Sequence, residues 1–290
     1  MWNRSDLKRY SKDLFGKHTK TILLCTLFIF IVSGVISFNI NINSVADSVI
    51  DGKRTVLFQP YGINTKFLYG VNTSSILPNF NTTDVNKILF PSFYVSLNVF
   101  LFLMLFQLVV YTFLISPIKI GYKKLFLDGY REDKITFSNL FWFFENKTFI
   151  KVGIKIFIKN LYLSLWSLLF IIPGIVKTYE YYYVDYILCD NPDMSINDAI
   201  LLSRKMTNDD KFNIFVLDLS FILWILGSGI TFGLLEFFVH PYREGTKAKL
   251  YLTVKNSGKL SDEELNYIGD DNDYSDSKYY DDEYEKFDFN

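Results

Sequence analysis

Long apolar runs alternate with short polar and basic stretches along this chain. Residues 21–38 carry no charge over 18 positions. Residues 88–117 are interrupted by Pro91, Asn98 and Gln107, and residues 149–172 carry Lys151, Lys155 and Lys159 only in their first half. About 20 apolar residues in helical form cross the ~30 Å hydrocarbon core of a bilayer, so each run reads as a membrane span. The stretch 161–177 is broken near its end by Pro173-Gly174, a pair that bends or ends a helix. Beyond it, residues 174–189 are rich in tyrosine and read as a return span. Residues 211–228 and 230–250 form a further pair, split near Gly227-Ser228-Gly229, with Asp218 and Glu236 inside them. The pattern predicts an all-α, polytopic helical membrane protein.

The connecting stretches have their own signatures. Residues 1–20 are basic, and the apolar run after them exceeds the roughly 7–15 residues of a signal-peptide core, which predicts a retained first span. Residues 39–87 are polar, with scattered Gly, Pro and Asn. They predict an extracytoplasmic loop long enough to hold structure of its own. Residues 137–147 read as an aromatic interfacial helix. Residues 194–206 repeat apolar positions at helical spacing, with Ser195 as N-cap and Asp198 three positions on.

Charge sets the orientation. Lysine and arginine flank the cytoplasmic ends of spans, so both termini are expected in the cytoplasm and the number of spans is even. With six spans the cluster Arg204, Lys205 and Lys211 is cytoplasmic. With four, the alternative, it lies outside and breaks the charge rule, so six is favoured. The net charge of −1 conceals a split, because residues 261–290 hold twelve acids and two lysines. That tail, at −10, is expected to be disordered and to project into solvent, where it could meet a basic protein partner.

The candidate chemistry is sparse. Two cysteines (Cys25, Cys189) and two histidines (His18, His240) make neither a disulfide framework nor a multi-histidine metal site. No phosphate loop, nucleophile elbow or nucleic-acid signature is present, so no catalytic, cofactor or metal residue is assigned. Charged residues inside a bilayer are costly unless paired. Lys155, Lys159, Asp185 and Asp218 enter from one side at comparable depth and form a candidate intramembrane polar network, with Asp218 expected to pair with Lys155 or Lys159. Gly229 and Gly233 have the small-xxx-small spacing of closely packed membrane helices.

Several motifs occur in a fixed order. They are Leu165-Trp166 running on to Pro173-Gly174, Tyr179 and Tyr181, Asn191-Pro192, Ala199-Ile200 with Ser203 and Met206, Leu219-Ser220-Phe221 with Trp224, and Pro241-Tyr242. Together they resemble a bacterial integral-membrane family filed as domain of unknown function 975, over roughly residues 1–255. In one departure, Thr207-Asn208-Asp209-Asp210 stands where that family usually has glycine. The resemblance implies a helical cell-membrane protein and supplies no activity. The expected role is a non-enzymatic envelope scaffold or modulator with the lipid bilayer as its partner; the alternative is a small transporter or transporter subunit using the intramembrane charges.

Overall fold

The computed structural model describes residues 2–36, 49–50, 53–58, 93–231 and 233–269. The chain divides into two units, Met1–Ile29 with Thr112–Asn290, and Phe30–Tyr111.

In the larger unit the basic N-terminal stretch is a helix, α1 (Arg4–Lys17), started by the Asn3 side chain accepting the Ser5 N–H. Its inner positions Leu7, Ser11 and Leu14 are buried. They lie against α12 (Glu236–Lys255), whose Tyr242 carbonyl accepts the Ser11 hydroxyl at 2.8 Å. Gly245 makes this approach possible, since a Cβ there would lie 2.6 Å from Ser11 Oγ. The following helix α2 (Thr19–Ile36) turns away from α1 by 96°.

Helix α3 (Leu97–Val110) passes through a π-helical turn into α4 (Ser116–Glu132). Pro117 follows directly on the π-helical turn, the kind of irregularity in the helix ladder that accommodates a missing N–H. A 3-10 turn at Phe137–Phe141 and the short helix α5 (Trp142–Glu145) occupy the expected interfacial stretch. Gly121 lets α4 meet that turn, because a Cβ would lie 2.3 Å from the Leu140 carbonyl oxygen.

Helix α6 (Phe149–Leu169) and helix α7 (Ile171–Glu180) form a hairpin. The break was expected at Pro173-Gly174. It falls at Phe170, which is extended (φ −156°, ψ 145°). Pro173 instead sits in the first turn of α7, and Gly174 provides the close approach: a Cβ there would lie 2.9 Å from Ser167 Cα. After a turn comes α8 (Val184–Asp190), then α9 (Ile196–Thr207), whose predicted cap forms, with Ser195 Oγ accepting the Asp198 N–H at 3.2 Å. Asp209 takes the left-handed conformation (φ 64°). Asp and Asn tolerate this region better than most residues, which accounts for the missing glycine.

Helices α10 (Lys211–Leu219) and α11 (Ile222–Ile230) are separated by a two-residue break, and the second hairpin turns after Ile230, at Gly233 (φ 87°). The expected split at Gly227-Ser228-Gly229 therefore lies inside α11. Residues Ser261–Gly269 were expected to be disordered. They form α13 (Asp262–Ile268), closed by a capping box between Ser261 and Glu264, with Ile268 fully buried. Residues 270–290 lie outside the described residues.

The smaller unit holds an antiparallel sheet, β1 (Val49–Ile50), β2 (Lys53–Phe58) and β3 (Phe93–Ser96), paired Ile50↔Lys53 and Phe58↔Phe93. Part of the expected loop is thus structured. The second apolar run begins as strand and becomes helical only from Leu97, because Phe-Tyr-Val favours the pleated form. Apart from these strands, the elements of the described residues are helical.

Among the described residues three helices are long and apolar enough to cross a membrane: Leu101–Glu132, Phe149–Leu169 and Lys211–Ile230. A fourth is added if the bent pair Arg4–Lys17 and Thr19–Ser33 counts as one.

Candidate functional site

Buried acids sit where helices meet, and each collects cations from its neighbours. Asp185, in the first turn of α8, accepts Lys123 of α4 at 2.5 Å and Lys159 of α6 through its other oxygen. Three helices are joined by one carboxylate. One turn and a half later Asp190 accepts both terminal nitrogens of Arg131, at 2.8 and 2.9 Å. Its second oxygen also takes the Tyr251 hydroxyl at 2.8 Å and Lys255 at 3.1 Å, both from α12. Burial opposes ionisation of Asp190, but the Arg131 charge and its hydrogen bonds, with Lys255 and Tyr251, outweigh it and hold the carboxyl below its usual range.

Glu180, at the end of α7, is the third such acid. It binds Lys177 at 2.6 Å, Lys211 at 3.1 Å and Arg204 at 3.3 Å. The joint beside it is made by Ser203, whose hydroxyl donates to the Glu180 carbonyl at 2.8 Å and accepts the Tyr183 N–H at 3.1 Å. The turn between α7 and α8 is therefore satisfied by a side chain from α9.

The expected polar network is formed only in part. Lys159 and Asp185 are joined, and Lys155 binds the Pro192 carbonyl. Asp218 is not paired with either lysine. It accepts the Tyr182 hydroxyl at 3.2 Å and lies 3.8 Å from Lys247. The i, i+4 spacing of Lys155 and Lys159 was read correctly, but α6 faces α8 and α4, and Asp218 faces α7 and α12. Among the described residues nothing lies within 4 Å of a Cβ built at Gly229 or Gly233. Gly233 serves the turn, and the close approaches fall at Gly121, Gly153, Gly174 and Gly245.

The ordered motif residues are structural in this geometry. Met206 is fully buried and Trp166 carries the Lys177 ammonium 5.1 Å from its ring. Ser220 caps back onto the Leu217 carbonyl, Ser228 onto that of Trp224, and Tyr242 meets Phe221 edge-on at 5.4 Å. Pro241 lies inside α12. Sequence reasoning missed Lys123, Arg131, Glu180, Asp190 and Lys255 as site residues. The available signal was spacing: Lys123 and Arg131 stand two turns apart on α4, and Asp185 and Asp190 stand at the two ends of α8. Among the described residues no group of His, Cys, Asp and Glu could hold a metal ion.

Helix α13 is fastened to the same end. Lys255 donates to the Gly269 carbonyl at 2.7 Å, Asn191 to that of Tyr267 at 2.7 Å, and Lys205 to Glu264 at 2.6 Å. The Lys205 ammonium holds Glu264 below the usual carboxylate range.

No curated protein and no solved structure matches the chain. Residues 168–258 match the family described as Protein of unknown function (DUF975), a narrower stretch than the resemblance suggested.

Proposed function

We propose that this chain is a non-enzymatic membrane protein that scaffolds or modulates an envelope process from the cytoplasmic face, with both termini cytoplasmic. The observation that carries the reading is the use made of the buried acids. Asp185, Asp190 and Glu180 are each held by two or three cations, partly from other helices. Acids bound in this way join helices; an ion path needs groups that can release and rebind.

The same ion pairs supply a depth scale. Along Leu101–Glu132 the apolar run ends at Ile118, and Lys119 and Lys123 follow. Asp185 ties Lys159 to the level of Lys123, at the cytoplasmic boundary. From Lys159 to the hairpin tip at Leu169 leaves about 15 Å at ~1.5 Å per residue. That is half of the ~30 Å core. The second hairpin starts at Lys211, which Glu180 ties to the foot of the first, and its two helices run about 28 Å from there to Ile230, about 18 Å of it beyond Asp218. Both tips are apolar and exposed, Leu168 at 84% and Ile230 at 80%. In this reading α2 and α3–α4 cross fully, and both hairpins enter and leave on the cytoplasmic side in place of four further full spans, the first reaching half-way and the second deeper.

Reporter fusions at Ser74 should read outside, and those at Glu132, Lys205 and Lys259 inside. Cysteines placed at Leu168 and Leu234 should resist a membrane-impermeant thiol reagent from outside. Labelling of both tips would restore six full spans, and an outside reading at Lys205 would restore four. For the role itself, crosslinking in living cells should capture a reproducible protein partner. The transporter reading is favoured by Asp218 alone, whose nearest cation is 3.8 Å away. Ion or proton flux in liposomes that disappears with Asp218→Asn would replace the scaffold reading with that one.

A further inference from the structure

Glu180 stands in a niche of about 580 Å³ between α7, α9 and α10. The charged lining comprises Arg204, Lys205, Lys211 and Lys259 against Glu180 and Asp209, four cations to two carboxylates. Lys205 and Lys259 are occupied by Glu264 and Asp210, at 2.6 and 2.7 Å. The surplus is concentrated on Glu180, one carboxylate shared by Lys177, Lys211 and Arg204. Arg204 reaches it through Nε, and 56% of its side chain stays exposed.

The border of the niche is apolar. Leu201 lines it and is 60% exposed; Phe212, the residue after Lys211, is 73% exposed, with the exposed Phe215 ring 6.2 Å from it, and the exposed Ile175 and Val176 precede Lys177 on α7. A free anion in water would have no use for that border. A phospholipid would use both parts, with its phosphate against the cations and its acyl chains along Phe212, Phe215 and Val176. We infer that the niche around Glu180, Arg204 and Lys211 binds the headgroup of an anionic phospholipid of the cytoplasmic leaflet, phosphate on Arg204 and Lys211 and acyl chains on Phe212.

The inference rests on the membrane placement proposed above, and its test separates the two. The full chain is purified in detergent and titrated with phosphatidylglycerol or phosphatidylcholine while bound lipid is counted by native mass spectrometry. Resistance of the protein to alkaline extraction from membranes is measured in parallel and reads the placement alone. Wild type should retain phosphatidylglycerol in preference to phosphatidylcholine. Arg204→Gln with Lys211→Gln should weaken that retention roughly 30-fold, at about one surface-charge contribution each. Phe212→Ser, which leaves every charge in place, should weaken it too, and Lys151→Gln, a cytoplasmic cation far along α6, should not. Equal retention by the double variant and wild type would overturn the site, as would loss of lipid to millimolar inorganic phosphate with Phe212→Ser unaffected, the mark of a soluble-anion site.

Discussion

Removing Asp185 and removing one of its lysines are predicted to have very different effects. Asp185 is the single acid between Lys123 and Lys159, with all three side chains largely shielded from solvent. Asp185→Asn leaves two ammonium groups facing each other with only Glu244, which acts on Lys123 without an ion pair to it, as counter-charge, and breaking a buried pair in this way costs ~3–5 kcal/mol. Membrane reference states reduce such values, because the unfolded chain also finds partners there. Lys159→Met is the opposite case. Asp185 keeps Lys123, the local charge falls to zero, and methionine fills the space of the lysine stem, so stability should stay within about 1 kcal/mol of the parent. Lys123→Met should fall between, because Lys123 also sits in the field of Glu244. Replacing all three, Lys123→Met, Lys159→Met and Asp185→Leu, should recover most of the loss, since no unpaired charge remains. The order can be read by heating each variant in detergent and following the folded fraction by fluorescence-detected size exclusion. A Lys159→Met as unstable as Asp185→Asn, or a triple variant worse than Asp185→Asn, would refute the charge-balance account.

Three further outcomes are expected. Truncation after Gly269 should leave thermal stability unchanged, whereas truncation after Leu260 removes α13, with buried Ile268 and the bonds from Lys255 and Asn191, and should lower it by ~1–3 kcal/mol; equal melting of the two truncations would count against the docked helix. The Asp190 carboxyl is depressed in the folded state, so the stability it contributes is present above the ordinary carboxylate range and lost as pH falls through its folded value; the acid limb of a melting-versus-pH profile should flatten in Asp190→Asn, and an unchanged limb would assign acid sensitivity to another group. Ser203→Ala leaves the Tyr183 N–H and the Glu180 carbonyl unpaired at a buried joint and should cost ~1–3 kcal/mol, whereas Thr207→Ala, which loses only a bond within its own helix, should cost less, and the reverse order would be inconsistent with Ser203 as the joint.

Local features were legible in the sequence, and partners were not. The periodicity of 194–206 and its Ser195 cap predicted α9, because both signals are contained in one stretch. The α6–α7 hairpin was anticipated but its break was misplaced, since a Pro-Gly pair marks where a helix can stop while the actual corner depends on where α7 can lie against Ser167. Lys159 and Asp185 were named for depth and charge, yet Asp218 was given the wrong partner, because which face of α6 looks inward is decided by α4 and α8 together. Asp190 closes α8 just before Asn191-Pro192, and its role as a joint needs Arg131 and Lys255 from sites 59 and 65 residues away. Helix α13 was lost in the average charge of its thirty-residue tail, although Ser261 followed by Glu264 and Ile268 is a readable capped turn.

The packing of α1 on α12 has a consequence for biogenesis. The Ser11–Tyr242 bond spans 231 residues, so α1 leaves the ribosome long before its cover exists. At ~5–20 residues per second that interval is roughly 10–50 s. During it, Leu7 and Leu14 lack α12, with only the Gly129 side of α4 beside Leu14, and a basic helix with an apolar stripe lies naturally in the headgroup region of the leaflet it first meets. Closure of the N-terminal helix is therefore a late event in synthesis, and a chain arrested before Pro241 should leave α1 lying on lipid.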